Sequence, residues 1–369
     1  MLHPTFARTV WAIIKKDIVT WFFLPASSLG TVLPALAVLL VEALLASAVG
    51  RSPVALVVLD SGRSAQHLAQ SIRAADVFRL TETNQAQAQV LFRNLDVVAV
   101  ITIPADFSRR YQAHEPDPVI VEVDNLNLDF TNDIRRAIPD TITQFYQAQG
   151  PSSPISVTVR EQDLRRQDVE LFQYEVLPAI ALLLTIGGLL TSGMATAREW
   201  ESQTVKELLL SPSSRASLIV GKVLAGFLTT FALGLFVLGV GYILGWTRPE
   251  GIYWLSTLLV MALIALLSSG LGVALGALLK RILAVLAVAI VLGLYLFFLS
   301  GGITVLAFEP DWLQAIAAFD PLTYGTHALQ MAIFYNSSDL LGRDVAVLAL
   351  STLAAICLGI LAMRRSLLQ

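Results

Sequence analysis

Along the chain, apolar residues gather into long runs without a polar face, and polar residues gather between them. Six of these runs are long enough to cross a hydrocarbon core of roughly 30 Å, which takes about 20 helical residues. They cover about Ala26 to Val49, Val176 to Ala197, Leu218 to Trp246, Ile252 to Leu279, Ile282 to Leu306 and Val345 to Met363. Ahead of the first run, TFARTVWAIIKKDIVTWFFL has a different rhythm. It sets Phe6, Val10, Ile13, Ile14, Ile18, Trp21 and Phe22 on one side and Lys15, Lys16 and Asp17 on the other. That pattern predicts, over residues 1–25, a helix lying in a membrane interface. The first run follows a long lead without a small-residue cleavage site, so a retained span is expected there.

Residues 50–175 alternate between short apolar runs and polar, proline-broken stretches, the pattern of a water-soluble domain. PVALVVLD (Pro53 to Asp60), NLDVVAVITIP (Asn94 to Pro104), PVIVEVD (Pro118 to Asp124) and ISVTVR (Ile155 to Arg160) predict strands. SAQHLAQSIRAA and the stretch from Asp129 to Gln149 predict helices. Strands alternating with helices imply an α/β domain with a partly parallel sheet. The expected fold class is therefore an α-helical integral membrane protein with six transmembrane helices. Its α/β domain is inserted between the first helix (26–49) and a five-helix region (176–369).

Composition agrees with this reading. The chain is 55% hydrophobic and 14% charged, with a mean hydropathy of +0.68, whereas an average soluble domain carries about 25% charged residues. Charge then sets orientation, because Lys and Arg in short loops stay on the cytoplasmic side. With the N-terminus inside, the inner segments hold Arg8, Lys15, Lys16, Arg198, Lys206, Arg215, Lys222, Lys280, Arg281, Arg364 and Arg365, and the short outer loops hold only Arg248 and Arg343. Both termini are expected in the cytoplasm and residues 50–175 outside an inner membrane. The twelve arginines of the long domain do not oppose this, since long loops translocate largely regardless of charge.

Little in the chain suggests catalysis. His3, His67, His114 and His327 lack the spacing of a metal site, and the single cysteine, Cys357, falls in the last span. No metal, bound cofactor or nucleic-acid partner is expected. Leu299-Ser300-Gly301-Gly302 matches most of the LSGGQ signature of cassette ATPases, yet no phosphate-cradling G-x-x-x-x-G-K-[ST] loop exists. The lone Gly-Lys pair, Gly221-Lys222, is followed by Val223. Ser300, Gly301 and Gly302 are instead expected to end a transmembrane helix. The following stretch to about residue 340, with Pro310, Trp312, Pro321 and Tyr324, reads as an outer re-entrant or interfacial segment in which the two aromatic residues anchor at headgroup level. Glu42 is the acidic residue well inside a predicted span and a candidate for the transport pathway.

Between the second and third spans lies TAREWESQTVKELLLSPSSRASLIVGK. As a helix over 198–210, it would align Trp200, Thr204, Val205, Leu208 and Leu209, leave Glu199, Glu201, Lys206 and Glu207 available to water or a partner, and stop at Ser211-Pro212. AREWESQTVKELLLSP resembles the cytoplasmic coupling segment of ABC-2 type transporter permeases, close to A-R-E-R-E-R-G-T-L-E-x-L-L-x-[ST]-P. Arg198, Glu199, Glu201, Thr204, Leu208, Leu209, Ser211 and Pro212 match it. Trp200 and Gln203 depart from it, standing where the pattern has a basic residue and a glycine. FLSGGITVLAFEPDWLQAIAAFDPLTYGTHALQ resembles the family's C-terminal pattern, F-L-S-G followed by P-x-W-L and P-x-T-Y. The order of parts resembles the long-ectodomain, multidrug-type export members.

The resemblance implies a permease subunit that exports a drug, lipid or similar amphipathic molecule. It implies two separate ABC ATPase subunits carrying ATP and Mg, and a second permease, either another copy or a sister chain. A periplasmic adaptor on the outer domain and bound membrane lipids are further partners. On this reading Arg198, Glu199, Glu201, Thr204, Glu207, Leu208, Leu209 and Pro212 couple to the ATPase, flanked by the N-terminal connecting helix. The alternative class is a membrane-anchored sensor or scaffold whose outer domain binds a ligand.

Overall fold

The computed structural model describes residues 6–25, 28–33, 52–75, 78–113, 119–123, 160–163, 176–205, 214–302 and 306–366, with isolated positions at 115, 134, 137–139, 141–143, 145, 174 and 207. The chain divides into two compact units. One comprises Met1–Ala43, Glu175–Ile303 and Ala315–Gln369; the other comprises Leu44–Tyr174 and Thr304–Gln314.

An amphipathic helix, α1 (Phe6–Phe23), opens the chain. The second unit follows with β1 (Ser52–Val58), α2 (Arg63–Ala74), β2 (Phe78–Glu82), α3 (Gln85–Arg93), β3 (Ala99–Ile103), α4 (Phe107–Ala113), β4 (Ile120–Val123) and β5 (Arg160–Asp163). The strands form one sheet in the order β2-β1-β3-β4-β5, parallel throughout except for the antiparallel β3–β4 pair. The predicted strands around Pro53, Val98 and Val119 are present. β2 and α3 were not foreseen, because FRLTE buries only Phe78 fully and carries no alternating apolar face. Of the fourth predicted strand, Ile155 to Arg160, only Arg160 is described, as the first residue of β5; positions 155–159 fall outside the described residues. One face of the sheet buries Val54, Leu56, Ile101 and Val121 against Leu68 and Ile72 of α2, with Ile134, Ile138 and Ile142 at helical spacing closing the core. The other face packs Ala55, Val57 and Val100 on Ala88 and Phe92 of α3.

At the carboxyl end of β1, Asp60 accepts hydrogen bonds from the Gly62 and Ser108 amides at 2.7 and 2.6 Å, joining the starts of α2 and α4. Partial burial acts to raise this carboxyl, and the two amide bonds outweigh it, holding its pKa below the ordinary carboxylate range.

The helical unit contains α5 (Val176–Glu201), α6 (Arg215–Ile243), α7 (Tyr253–Leu279) and α8 (Ile282–Leu299). The short α9 (Asp311–Ala317) and α10 (Pro321–Gln330) precede a single π turn (Met331–Tyr335) and α11 (Leu341–Ser366). Among the described residues, five helices are long and apolar enough to cross a membrane: α5, α6, α7, α8 and α11. The predicted first span and Glu42 lie outside the described residues, apart from helical positions 28–33.

Apolar on every side, α5 is also buried nearly throughout, surrounded by α6, α7 and α8. Close approach to α7 depends on glycines: a Cβ at Gly272 would lie 2.7 Å from the Leu189 carbonyl oxygen, and one at Gly276 would lie 2.3 Å from that of Gly193. The small-residue stripe on α7 therefore seals a contact inside one chain. Hydroxyls add cross-links where water is absent. Ser268 donates to the Leu184 carbonyl at 2.7 Å, Thr352 to that of Leu263 at 3.2 Å, and Ser366 to that of Ala277 at 2.9 Å.

Candidate functional site

α5, α7 and α11 finish at the end of the bundle where α6 and α8 begin, and four charged side chains meet there. Lys222 of α6 is 1% exposed. Its ammonium lies 2.9 Å from Oε1 of Glu199 and 3.6 Å from Oδ2 of Asp17, and donates to the Ala195 carbonyl at 3.2 Å. Lys16 completes the group, pairing with the same Glu199 oxygen and with Oδ1 of Asp17 at 3.2 Å. Two ammonium groups and two carboxylates make the set neutral, the condition under which buried charges are tolerated. Burial alone would lower the Lys16 pKa; the Asp17 and Glu199 carboxylates outweigh it and hold that pKa above the ordinary lysine value.

This cluster corrects two expectations. Glu199 does not face water: it is buried at the last turn of α5 and engaged on two sides. Nor does Asp17 sit on the polar side of α1. It is buried with Val10, Ile13 and Ile14, while Trp11, Phe22 and Phe23 are exposed. Its position follows four residues after Ile13, so it falls on the same helical face; Lys16 and Lys222 neutralise it there. Val10 and Ile14 continue the contact onto Ala225, Val220 and Leu224 of α6.

The rest of the segment is held just as specifically. Residues 198–201, expected to start a separate coupling helix, are the final turn of α5. The helix ends at Glu201, and Gln203 takes a left-handed conformation, φ 59°. This is the position where the resembling pattern has glycine, the residue for which such a φ carries no steric cost. The Trp200 ring receives the Lys280 ammonium, 4.5 Å from its centroid. An oxygen of Glu201 accepts from the Ile282 amide at 2.9 Å, placing a carboxylate on the N-terminus of α8. Arg198 is half-buried. Thr204 bonds to the Ser202 hydroxyl at 3.1 Å, and Glu207 is exposed. Leu208, Leu209 and Pro212 lie outside the described residues.

The other predicted group is divided between the units. α8 ends at Leu299, where Ser300 donates to the Phe297 carbonyl at 2.7 Å and Gly301 takes φ 72°. The Ser300 carbonyl accepts from Thr326 of α10 at 2.7 Å. Gly302 abuts the Phe297 ring, 2.7 Å from where a Cβ would stand. Pro310 and Trp312 belong to the unit that contains the sheet, in which Arg79 donates to the Glu309 carbonyl at 2.9 Å. Pro321 opens α10, a helix buried against α7 and α11 through Leu322, Gly325, Thr326 and Leu329. Tyr324, expected to anchor at headgroups, donates its hydroxyl to the Ala318 carbonyl at 2.9 Å, and its ring faces the Arg343 guanidinium.

Sequence reasoning missed a second buried ionic cluster. Asp344, fully buried in the first turn of α11, bonds His327 of α10 and is paired with Arg343 at 2.8 Å. An acid inside the first turn of an apolar helix was the available signal. Lys222 carried a similar one, as a lysine inside an apolar run.

The chain matches the family model described as ABC-2 family transporter protein over residues 25–361. It is 20% identical over 337 residues to the probable multidrug ABC transporter permease YbhR of Escherichia coli (strain K12), covering 89% of this chain and 90% of that protein. A shorter match, 29% identical over 161 residues, relates it to the probable doxorubicin resistance ABC transporter permease protein DrrC of Mycobacterium tuberculosis (strain CDC 1551 / Oshkosh), covering 42% of this chain and 57% of DrrC. The putative transport permease ycf38 of Cyanophora paradoxa is 26% identical over 161 residues, covering 43% of this chain and 56% of ycf38.

Proposed function

The chain belongs to the ABC-2 family of transporter proteins, and on that premise we propose that it exports amphipathic, drug-like molecules across the cytoplasmic membrane, driven by two separately encoded ATPase subunits. It is the non-catalytic permease of such an exporter, and family membership sets aside the sensor and scaffold readings. Drug-like cargo is favoured by relatives whose names carry multidrug and doxorubicin resistance.

The observation that carries the mechanism is the neutral, buried cluster of Lys16, Asp17, Glu199 and Lys222. It ties α1 and α6 to the end of α5, while Glu201 and Trp200 tie the same turn to the α7–α8 hairpin. A displacement of the segment after Glu201 would therefore move four spans at once. On this reading Arg198, Thr204, Glu207, Leu208, Leu209 and Pro212 meet the ATPase, and Glu199 and Glu201 transmit its motion inward. The ATP and Mg belong to that ATPase. Basic residues favour a cytoplasmic position for this end of the bundle, with residues 50–175 outside and available to an adaptor. A second permease, identical or a sister, completes the pathway.

The test is co-expression with a candidate cassette ATPase. The purified chain alone should hydrolyse no ATP, and the assembled complex should drive dye export. Cysteines replacing Ser64 and Ser213, introduced into a Cys357→Ser background, should be labelled from outside at position 64 only. Labelling of intact cells at position 213 alone would reverse the topology, and an assembled, ATP-hydrolysing complex that exports nothing would remove the exporter reading.

A further inference from the structure

α1 has two faces, and the bundle covers one of them. Val10, Ile13, Ile14 and Asp17 are buried against the early turns of α6. Val10 and Ile14 pack with Val220, Leu224 and Ala225, and a Cβ at Gly221 would stand 2.9 Å from that of Ile13. From this side Lys16 and Asp17 enter the charged cluster. Roughly 140° around the helix, at 3.6 residues per turn, a second stripe runs through Arg8, Trp11, Lys15 and Phe22, spaced three, four and seven residues apart. All four are exposed, Trp11 by 65% and Phe22 by 70%. The sequence pattern placed Phe22 on one apolar side with Val10 and Ile13; the structure separates them, so aromatic surface remains after the bundle has taken its own.

This second stripe carries charge of one sign. Asp17 is the sole acid of α1 and is engaged by two lysines on the covered side, whereas neither Arg8 nor Lys15 forms an ion pair among the described residues. Adjacent lysines thus part ways: Lys16 turns in to Glu199, and Lys15 stays out. The level of α1 selects what the stripe meets. α6 has 29 residues, about 43 Å of helix at 1.5 Å each, against a hydrocarbon core of roughly 30 Å, so its ends reach the headgroups. α1 meets it within Val220–Ala225, near its start, where headgroups give way to acyl chains.

We infer that Arg8, Trp11, Lys15 and Phe22 form a binding surface for anionic phospholipid. Exposed aromatic rings at this depth suit the glycerol and upper acyl region, and two cations without acidic neighbours on their face suit the headgroup charge. A lipid held on one side of α1 braces the helix that supplies Lys16 and Asp17 to the buried cluster on the other. Export should therefore depend on anionic lipid. That consequence rests on the exporter reading; the binding surface does not.

Trp11 serves as its own reporter. The full-length chain is reconstituted in nanodiscs of phosphatidylcholine and phosphatidylglycerol, with bromine on the acyl chains of one lipid or the other at equal mole fraction. The Trp11 signal is the difference from Trp11→Phe. Brominated phosphatidylglycerol should quench it the more strongly, by a binding preference of about twentyfold at low salt, since each basic residue near an anionic surface contributes about fivefold. Arg8→Gln and Lys15→Gln should each remove about fivefold, and the two together should bring the lipids to parity. Salt at about 1 M, which shortens the screening length to about 3 Å, should do the same to wild type. Equal quenching by both lipids in wild type, a preference that survives in the double variant, or a Trp11 that neither lipid quenches would each overturn the inference; in the last case, protection of Trp11 from iodide on adding the ATPase would assign the stripe to that protein. Both substituted positions are exposed, and the salt dependence of wild type decides without them. Export by the assembled complex is compared in the two lipids separately. Equal export in both would remove the bracing, and an assembled, ATP-hydrolysing complex that exports in neither would remove the exporter reading while the quenching still decides the lipid surface.

Discussion

Replacing Lys222 by Met keeps most of the side-chain volume and removes one of two cations from a buried neutral set. Two carboxylates would then share only Lys16, which is half exposed. At an effective dielectric of about 20, unit charges at the Glu199 separation of 2.9 Å attract by about 6 kcal/mol, and at the Asp17 separation of 3.6 Å by about 5 kcal/mol. Most of this attraction offsets the desolvation of the ions, and removing one partner from a buried pair costs about 3–5 kcal/mol net. For a unit of roughly 200 residues that corresponds to a melting temperature lowered by about 10 °C. Adding Glu199→Gln to Lys222→Met restores neutrality through the Lys16–Asp17 pair and should recover about 2 kcal/mol or more. The assay is thermal unfolding of the purified chain in detergent, run as a double-mutant cycle and paired with ATP-driven export by the assembled complex. Equal destabilisation of the single and double variants would refute charge pairing as the reason for the cluster. A single variant with wild-type stability would refute its burial.

Glu201→Ala removes the carboxylate from the Ile282 amide and should cost about 1 kcal/mol, seen as faster hydrogen exchange at the start of α8; Glu201→Gln should cost less. Gln203→Gly relieves a left-handed conformation at φ 59° and should stabilise the chain by about 0.5–1 kcal/mol, raising its melting temperature without loss of export. The folded pKa of Asp60 is depressed below the ordinary 3.8. Its contribution is therefore complete above pH 4, disappears as pH falls through the lower folded value, and is absent in Asp60→Asn. Limited proteolysis of the sheet domain in the full chain should show wild type and Asp60→Asn converging in acid; a constant difference down to about pH 2 would contradict the assignment.

What the chain states locally was legible without coordinates. Burial of a helix in lipid requires a continuous apolar run, so five spans, their order and the inserted α/β domain follow from hydropathy and period alone. The break at Ser300-Gly301 was equally visible, because serine and glycine interrupt an apolar pattern wherever they stand, whereas the helix expected to begin at Arg198 proved to be the last turn of α5. Pairing between distant residues was not legible. Glu199 reads as a solvent-facing acid until α1 and α6 bring Lys16 and Lys222 to it, from 183 and 23 residues away in sequence. Asp17 reads as part of a polar face for the same reason. Which helix lies against the glycines of α7 is likewise decided only by the packing of α5 onto them. Periodicity reports which face of an element is apolar. The fate of a charge depends on which other element arrives beside it, and that is decided by packing across the whole bundle.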